Sequence, residues 1–76
     1  LKDQADIIIA NINKNVLLNE MPEYARLLAL NGVLILSGFY ENDAPKIYAH
    51  AEKLGLKRIH QKCLSLWTVI VLSKRI

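Results

Sequence analysis

The chain predicts an α/β fold on a largely parallel sheet, with elements in the order strand, helix, strand, helix, strand, strand. Three observations carry that prediction. The runs at residues 6–12 and 33–36 are apolar without alternation, the pattern of strands covered on both faces by helices. Between and after them lie apolar residues at helical spacing. The last two apolar runs leave no room for a helix between them, so they must fold back as a hairpin with the last strand antiparallel.

The first run, Asp6-Ile-Ile-Ile-Ala-Asn-Ile12, is β-branched and bounded by polar residues. Leu17, Met21, Tyr24, Ala25 and Leu28 follow at i, i+4, i+7, i+8 and i+11, a helical stripe that Pro22 interrupts. A proline inside a helix removes one hydrogen bond and collides with the carbonyl four residues earlier, here that of Leu18. The expectation is therefore a short turn over 14–20 and a helix beginning near Pro22. Asn31-Gly32 is expected to end that helix, since both residues tolerate a left-handed backbone. Val33–Leu36 is the second strand, closing at Ser37-Gly38. Asn42 or Asp43 then caps a second helix with Pro45 in its first turn, Ile47, Ala51 and Leu54 inward, and Gly55 as the stop. Residues 57–65 and 66–74 are the closing strands. No repeat, low-complexity segment or linker divides the chain, so it is one domain.

At 76 residues, 53% are hydrophobic and 22% charged, a high apolar share for so small a surface-to-volume case. That balance predicts part of a larger fold whose remainder covers apolar faces. No apolar run approaches the length of a membrane-spanning helix, and the expected location is cytoplasmic. Cys63 is the one cysteine and cannot form an internal disulfide; it is expected to be structural and half-buried. Residues 1–52 hold four basic and seven acidic side chains, a balance of −3. Residues 53–76 hold Lys53, Lys57, Arg58, Lys62, Lys74 and Arg75 with no acid, a balance of +6. Such an end attracts RNA phosphates or an acidic partner, or is simply a solvated rim.

In open α/β sheets ligands bind beyond the carboxyl ends of the parallel strands. Two loops qualify, Asn11 to Asn15 and Ser37 to Tyr40. Three asparagines within five residues are costly unless they cap, turn or bind. An asparagine amide offers one acceptor and two donors, which suits orienting an amine for methyl transfer, where alignment of a neutral nitrogen matters more than a strong base. The alternative is that Asn13 or Asn15 caps the next helix, that Gly38 serves only a turn and that Ser37 acts as a cap surrogate. His50 and His60 have no ligand at metal spacing. Trp67, opening the last strand, is expected in the core. No Walker sequence, Gly-x-Gly-x-x-Gly, Gly-x-Ser-x-Gly or Cys-x-x-Cys is present.

Asp6-Ile-Ile-Ile-Ala-Asn-Ile-Asn13, Leu17-Leu18, Asn31-Gly32, Leu36-Ser-Gly-Phe39, Asp43-Ala44 and Leu66-Trp-Thr-Val-Ile-Val71 resemble, in order and spacing, the bacterial methyltransferases of large-subunit ribosomal protein eleven. The resemblance implies a Rossmann-like methyltransferase sheet of seven strands, of which residues 1–76 are the carboxyl-terminal half, strands four to seven. It implies S-adenosylmethionine as cofactor and repeated methylation of amino groups on a ribosomal protein substrate. By that analogy Asn11 is catalytic and touches donor or substrate nitrogen, with Ile12 beside the donor. Asn13, Ser37 and Gly38 line the substrate side. The third position of this motif is usually apolar or aromatic, and here it is Asn13. The family's glycine-rich donor loop and its ribose-binding acid have no counterpart in these residues, so the chain alone is expected to be inactive and prone to pair through a bare strand edge. The alternatives are a related methyltransferase acting on glutamine or an RNA base nitrogen, and a non-catalytic α/β interaction module.

Overall fold

The computed structural model describes residues 4–75. Strand β1 (Ala5–Asn11) leads into helix α1 (Lys14–Leu27), strand β2 (Leu28–Tyr40), a 3₁₀ turn (Glu41–Asp43), helix α2 (Ala44–Lys53), and strands β3 (Leu56–Leu64) and β4 (Trp67–Lys74). The sheet has the order β1-β2-β4-β3. β1 and β2 are parallel, while β4 runs antiparallel to both β2 and β3. The predicted element order and the antiparallel last strand both stand.

Both crossovers, β1 to β2 and β2 to β3, advance in the same direction across the sheet. With right-handed connections, that places both helices on one face. One core results: Leu17, Met21 and Ala25 from α1 and Ala44, Ile47 and Ala51 from α2 close over Ala10, Leu34, Leu36, Ile70 and Leu72. Leu34 pairs with Leu72 and Leu36 with Ile70, so the inward positions of β2 and β4 stack directly across the ladder. The other face is bare. Ile7 and Ile9 are 60% and 72% exposed, beside half-buried Val33 and Ile35. β1 is thus covered on one face only, where its unbroken apolarity predicts two. Ile7 and Ile9 put part of the apolar surplus of the composition on this face.

Helix α1 corrects the expected break at Pro22, for it runs unbroken from Lys14 to Leu27 with Pro22 inside. An interior proline costs about 3 kcal/mol. Burying Leu17 and Met21 completely returns about 1.5–3 kcal/mol each, and Asn13 caps the first turn by accepting from Val16 N–H at 3.0 Å. Pro22 sits on the exposed side. The Asn31-Gly32 stop is also displaced. The helix ends three residues sooner, at Leu28, where Lys74 Nζ donates to the carbonyls of Ala25 (2.9 Å) and Leu28 (3.1 Å). A cation on the last carbonyls is a favoured helix end. Asn31 does adopt the left-handed backbone, φ 67°, but inside β2, within the stretch where the β1–β2 register jumps from Ala5↔Leu28 to Ile7↔Val33. α2 follows expectation, with Pro45 in its first turn and Gly55, φ 78°, just past its end.

Replacing Pro22 by Ala restores one helical hydrogen bond on a solvated face. We expect urea unfolding of the full-length protein to show a gain of about 1–2 kcal/mol, part of the proline penalty being offset by the looser unfolded chain. A loss of stability would mean that the proline ring packs favourably in the folded protein.

Candidate functional site

Because β1 and β2 run parallel, their carboxyl ends and the loops after them emerge side by side. Asn11 lies in register with Ser37, and the Ile12 N–H donates to the Ser37 carbonyl at 3.1 Å, extending the ladder one residue past the strand. Gly38 follows with φ 97°, a backbone that side chains other than glycine rarely adopt. A Cβ there would stand 2.6 Å from Asn11 Oδ1, 2.9 Å from the Ile12 carbonyl oxygen and 3.0 Å from Ile12 N. The missing side chain of Gly38 is therefore the space in which the Asn11 amide sits.

The β2–β4 register also slips here, between Leu36 and Phe39, so the bulge at Ser37-Gly38 re-aims the chain toward Tyr40. A cleft of about 380 Å³ opens at this point, lined by Asn11, Ser37, Gly38, Trp67, Thr68 and Val69. A neighbouring cleft of similar volume shares Gly38 and Trp67 and adds Asn13, Lys14, Tyr40 and Asp43. Lys14 Nζ lies 3.6 Å from Asp43, and Asp43 also accepts from the Tyr40 N–H at 3.2 Å, tying the two loops together across that second cleft. A larger hollow, about 600 Å³, lies at the opposite end of the sheet between Tyr48, Glu52, Lys57 and Arg58. One of its two cations, Arg58, is stacked 4.9 Å above the Tyr48 ring. The Tyr48 hydroxyl donates to Gln61 Oε1, and burial pushes its pKa up. We place the site at the carboxyl ends, where polar groups from separate loops converge.

Of the residues singled out from the sequence, Asn11, Ser37 and Gly38 share one cleft. Ile12 has its N–H in the ladder and its side chain against the core. Asn13 lines the second cleft while its side-chain oxygen caps α1. Trp67 departs from its expected place: it is 54% exposed rather than in the core and stacks on Tyr40 with ring centroids 5.3 Å apart and planes 14° apart. Cys63 also differs, being exposed on edge strand β3, with Thr68 Oγ1 3.5 Å from its sulfur. β3 is an outer strand, so most of its residues meet solvent. Thr68 and Val69 join the site only because the hairpin register brings the start of β4 against the end of β2, which no local sequence pattern announces. Among the described residues no three His, Cys, Asp or Glu side chains group as a metal site, and no helix is long and apolar enough to cross a membrane.

Gly38→Ala forces a side chain into the Asn11 amide and into the Ile12 backbone at an unfavourable φ. We expect a loss of about 1–3 kcal/mol in the full-length protein, read as a lower urea midpoint. An unchanged midpoint would mean that the two loops move apart freely and that the interlock is not a constraint.

Known proteins resemble this chain in sequence and in fold. A family model described as "Ribosomal protein L11 methyltransferase (PrmA)" matches residues 1–75. The ribosomal protein L11 methyltransferase of Bacteroides thetaiotaomicron is 45% identical over 69 residues, covering 91% of this chain and 25% of that protein. That of Porphyromonas gingivalis is 43% identical over 65 residues, covering 86% of this chain and 22% of that protein. The crystal structure of the ribosomal protein L11 methylase from Lactobacillus delbrueckii subsp. bulgaricus superposes with a TM-score of 0.89 at 25% identity, over 96% of this chain and 38% of that one. The chain therefore spans about a quarter of the length of the curated relatives it matches. By sequence and by fold alike, it belongs to the ribosomal protein L11 methyltransferase family.

Proposed function

We propose that residues 1–76 form the amine-binding side of an S-adenosylmethionine-dependent N-methyltransferase domain, strands four to seven of its sheet, acting on amino groups of ribosomal protein L11. The observation that supports this best is the Asn11 amide, held against Gly38 at the mouth of a cleft beyond two parallel strands. It stands in a chain whose relatives are named for that reaction.

The residues fit such a role. The cleft joins a primary amide and the Ser37 hydroxyl to an apolar wall of Trp67 and Val69, a lining suited to a flexible amine and to the methionine end of the donor. S-adenosylmethionine, when bound, supplies an electrophilic methyl group. The chain's own part is orientation. Asn11 Oδ1 accepts an N–H of the incoming neutral amine, which turns the nitrogen lone pair away from the amide. Its backbone is fixed by the Ile12–Ser37 hydrogen bond, so this orientation is built before substrate arrives, and alignment alone can remove several kcal/mol from a barrier. Ile12 anchors the donor side of the loop. Ser37 and Gly38 border the substrate side, and Asn13 contributes through the loop it fixes by capping α1. Within β3, the exposed Lys57, Arg58 and Lys62 are a place for contact with an acidic surface, RNA included. A cytoplasmic location accords with such a substrate.

Asn11→Ala in the full-length enzyme is expected to lower kcat/KM for L11 methylation by about 100-fold, with the unfolding midpoint little changed. Undiminished methylation would remove Asn11 from the mechanism. The chain alone is expected to bind the donor more weakly than about 100 μM, because the cleft is small and open. Low-micromolar binding by calorimetry on residues 1–76 would contradict that. With its bare face and the unpaired outer edge of β1, the same chain should self-associate in light scattering, and a monodisperse monomer at high concentration would argue otherwise.

A further inference from the structure

We propose that Trp67, braced by Tyr40, is a substrate-positioning wall that recognises a cationic aliphatic amino side chain beside Asn11; this rests on the methyltransferase reading above and deepens it. Two large aromatic side chains, 54% and 50% exposed, stand at the carboxyl end of the sheet although the core lies one residue away along each strand. Tyr40 and Trp67 are register partners at the last rung of the β2–β4 ladder, past the Gly38 bulge. Their rings stack at 5.3 Å and 14°, which fixes the indole plane while leaving Trp67 a face toward solvent. Trp67 lines both clefts, once with Asn11, Ser37 and Gly38 and once with Asn13 and Tyr40.

An indole face attracts ammonium groups more strongly than any other side-chain ring does, and it also covers the alkyl stem of a lysine-like side chain. The carboxylate in the second cleft, Asp43, is engaged by Lys14 and by the Tyr40 N–H. With that charge partly met by Lys14, the ring offers a further attractive surface for a cation at this point. The two contacts have different requirements. Asn11 Oδ1 needs an N–H and loses its partner as methyl groups replace hydrogens, whereas a ring face needs only positive charge and holds a quaternary ammonium as well as a primary one. Trp67 thus holds the ammonium form at every degree of methylation, while the neutral form that reacts is aligned by Asn11. The packed pair leaves no slot between its rings, so a nucleobase and an ammonium group would compete for the one free indole face.

The test uses the full-length protein and two short peptides, one carrying trimethyllysine and one its neutral tert-butyl isostere, with affinities from calorimetry. Wild type should bind the cation about 5-fold more tightly than the isostere. Trp67→Leu should bring the ratio to about 1, Trp67→Phe should keep part of it, and Tyr40→Leu should lower it by loosening the brace. In turnover, Trp67→Leu should raise KM for the protein substrate more than it lowers kcat. Equal binding of the two peptides by wild type, no detectable binding of the cationic one, or an unchanged ratio in Trp67→Leu would each overturn the proposal. Tighter binding of a mononucleotide than of either peptide would do the same. Methylation of L11 by the wild type in the same preparation separates the two layers: its absence defeats the methyltransferase reading, while its presence with an unchanged ratio defeats only the role of Trp67.

Discussion

The rest of the site depends on one close approach: the Asn11 amide occupies the volume that any side chain at position 38 would need. Neither residue carries this alone. Asn11 stays where it is because the Ile12 N–H continues the β1–β2 ladder onto Ser37. Gly38 must be glycine because its φ is positive and because Oδ1 of Asn11 and the Ile12 backbone already fill the space beside its Cα. The interlock has two further effects. It sets the bulge that carries β2 on to Tyr40, and through the Tyr40↔Trp67 pair it places the indole at the cleft. An amide from one loop, a hydroxyl from a second and a ring from a third strand converge because one glycine lets two parallel strand ends come together.

Topology decides which surfaces this site has to work with. Two crossovers of one hand put both helices on the same side, so the core forms there and the opposite face keeps Ile7 and Ile9 in water. β4, inserted antiparallel between β2 and β3, brings its amino end rather than its carboxyl end to the site. That is why Trp67, the first residue of a strand, can stand beside Ser37 and Gly38, which close one. In an all-parallel sheet the same position would lie at the far end, near Gly55. The single antiparallel strand is thus part of how the cleft acquires its aromatic wall.

The element order, the hairpin, the Pro45 start and the Gly55 stop of α2 were legible in the sequence because each rests on local chemistry. The meeting of Asn11, Ser37 and Gly38 at one cleft was legible too, because they close unbroken apolar runs at the carboxyl ends of parallel strands. Pro22 misleads because its penalty is local and fixed, whereas the gain from burying Leu17 and Met21 on a shared stripe is tertiary. Asn31-Gly32 misleads differently. It marks a left-handed backbone correctly, but that backbone serves a strand irregularity, and Lys74, distant in sequence, ends the helix instead. Trp67 and Cys63 were misplaced for one reason: burial along the hairpin depends on which strand is central. β4 is central and β3 is the edge, so Cys63 meets solvent, and Trp67 sits at the rung where the sheet runs out.

The cluster of three asparagines shows why the residue-level reading had to stay divided between capping and binding. The structure shows one asparagine capping and another lining the cleft. Asn13 spends its oxygen on the Val16 N–H and starts α1. Asn11, two residues earlier and still on the strand, lines the cleft with its amide against Gly38. The division has a mechanical consequence. A helix that starts three residues after Asn11, capped by a side chain of the same loop, cannot rotate about that loop without losing its first hydrogen bond. Lys14, in its first turn, reaches Asp43 at the end of the other loop. The cap therefore acts on the cleft indirectly: it makes the loop short and taut, which limits how far the Asn11 amide can move from Gly38.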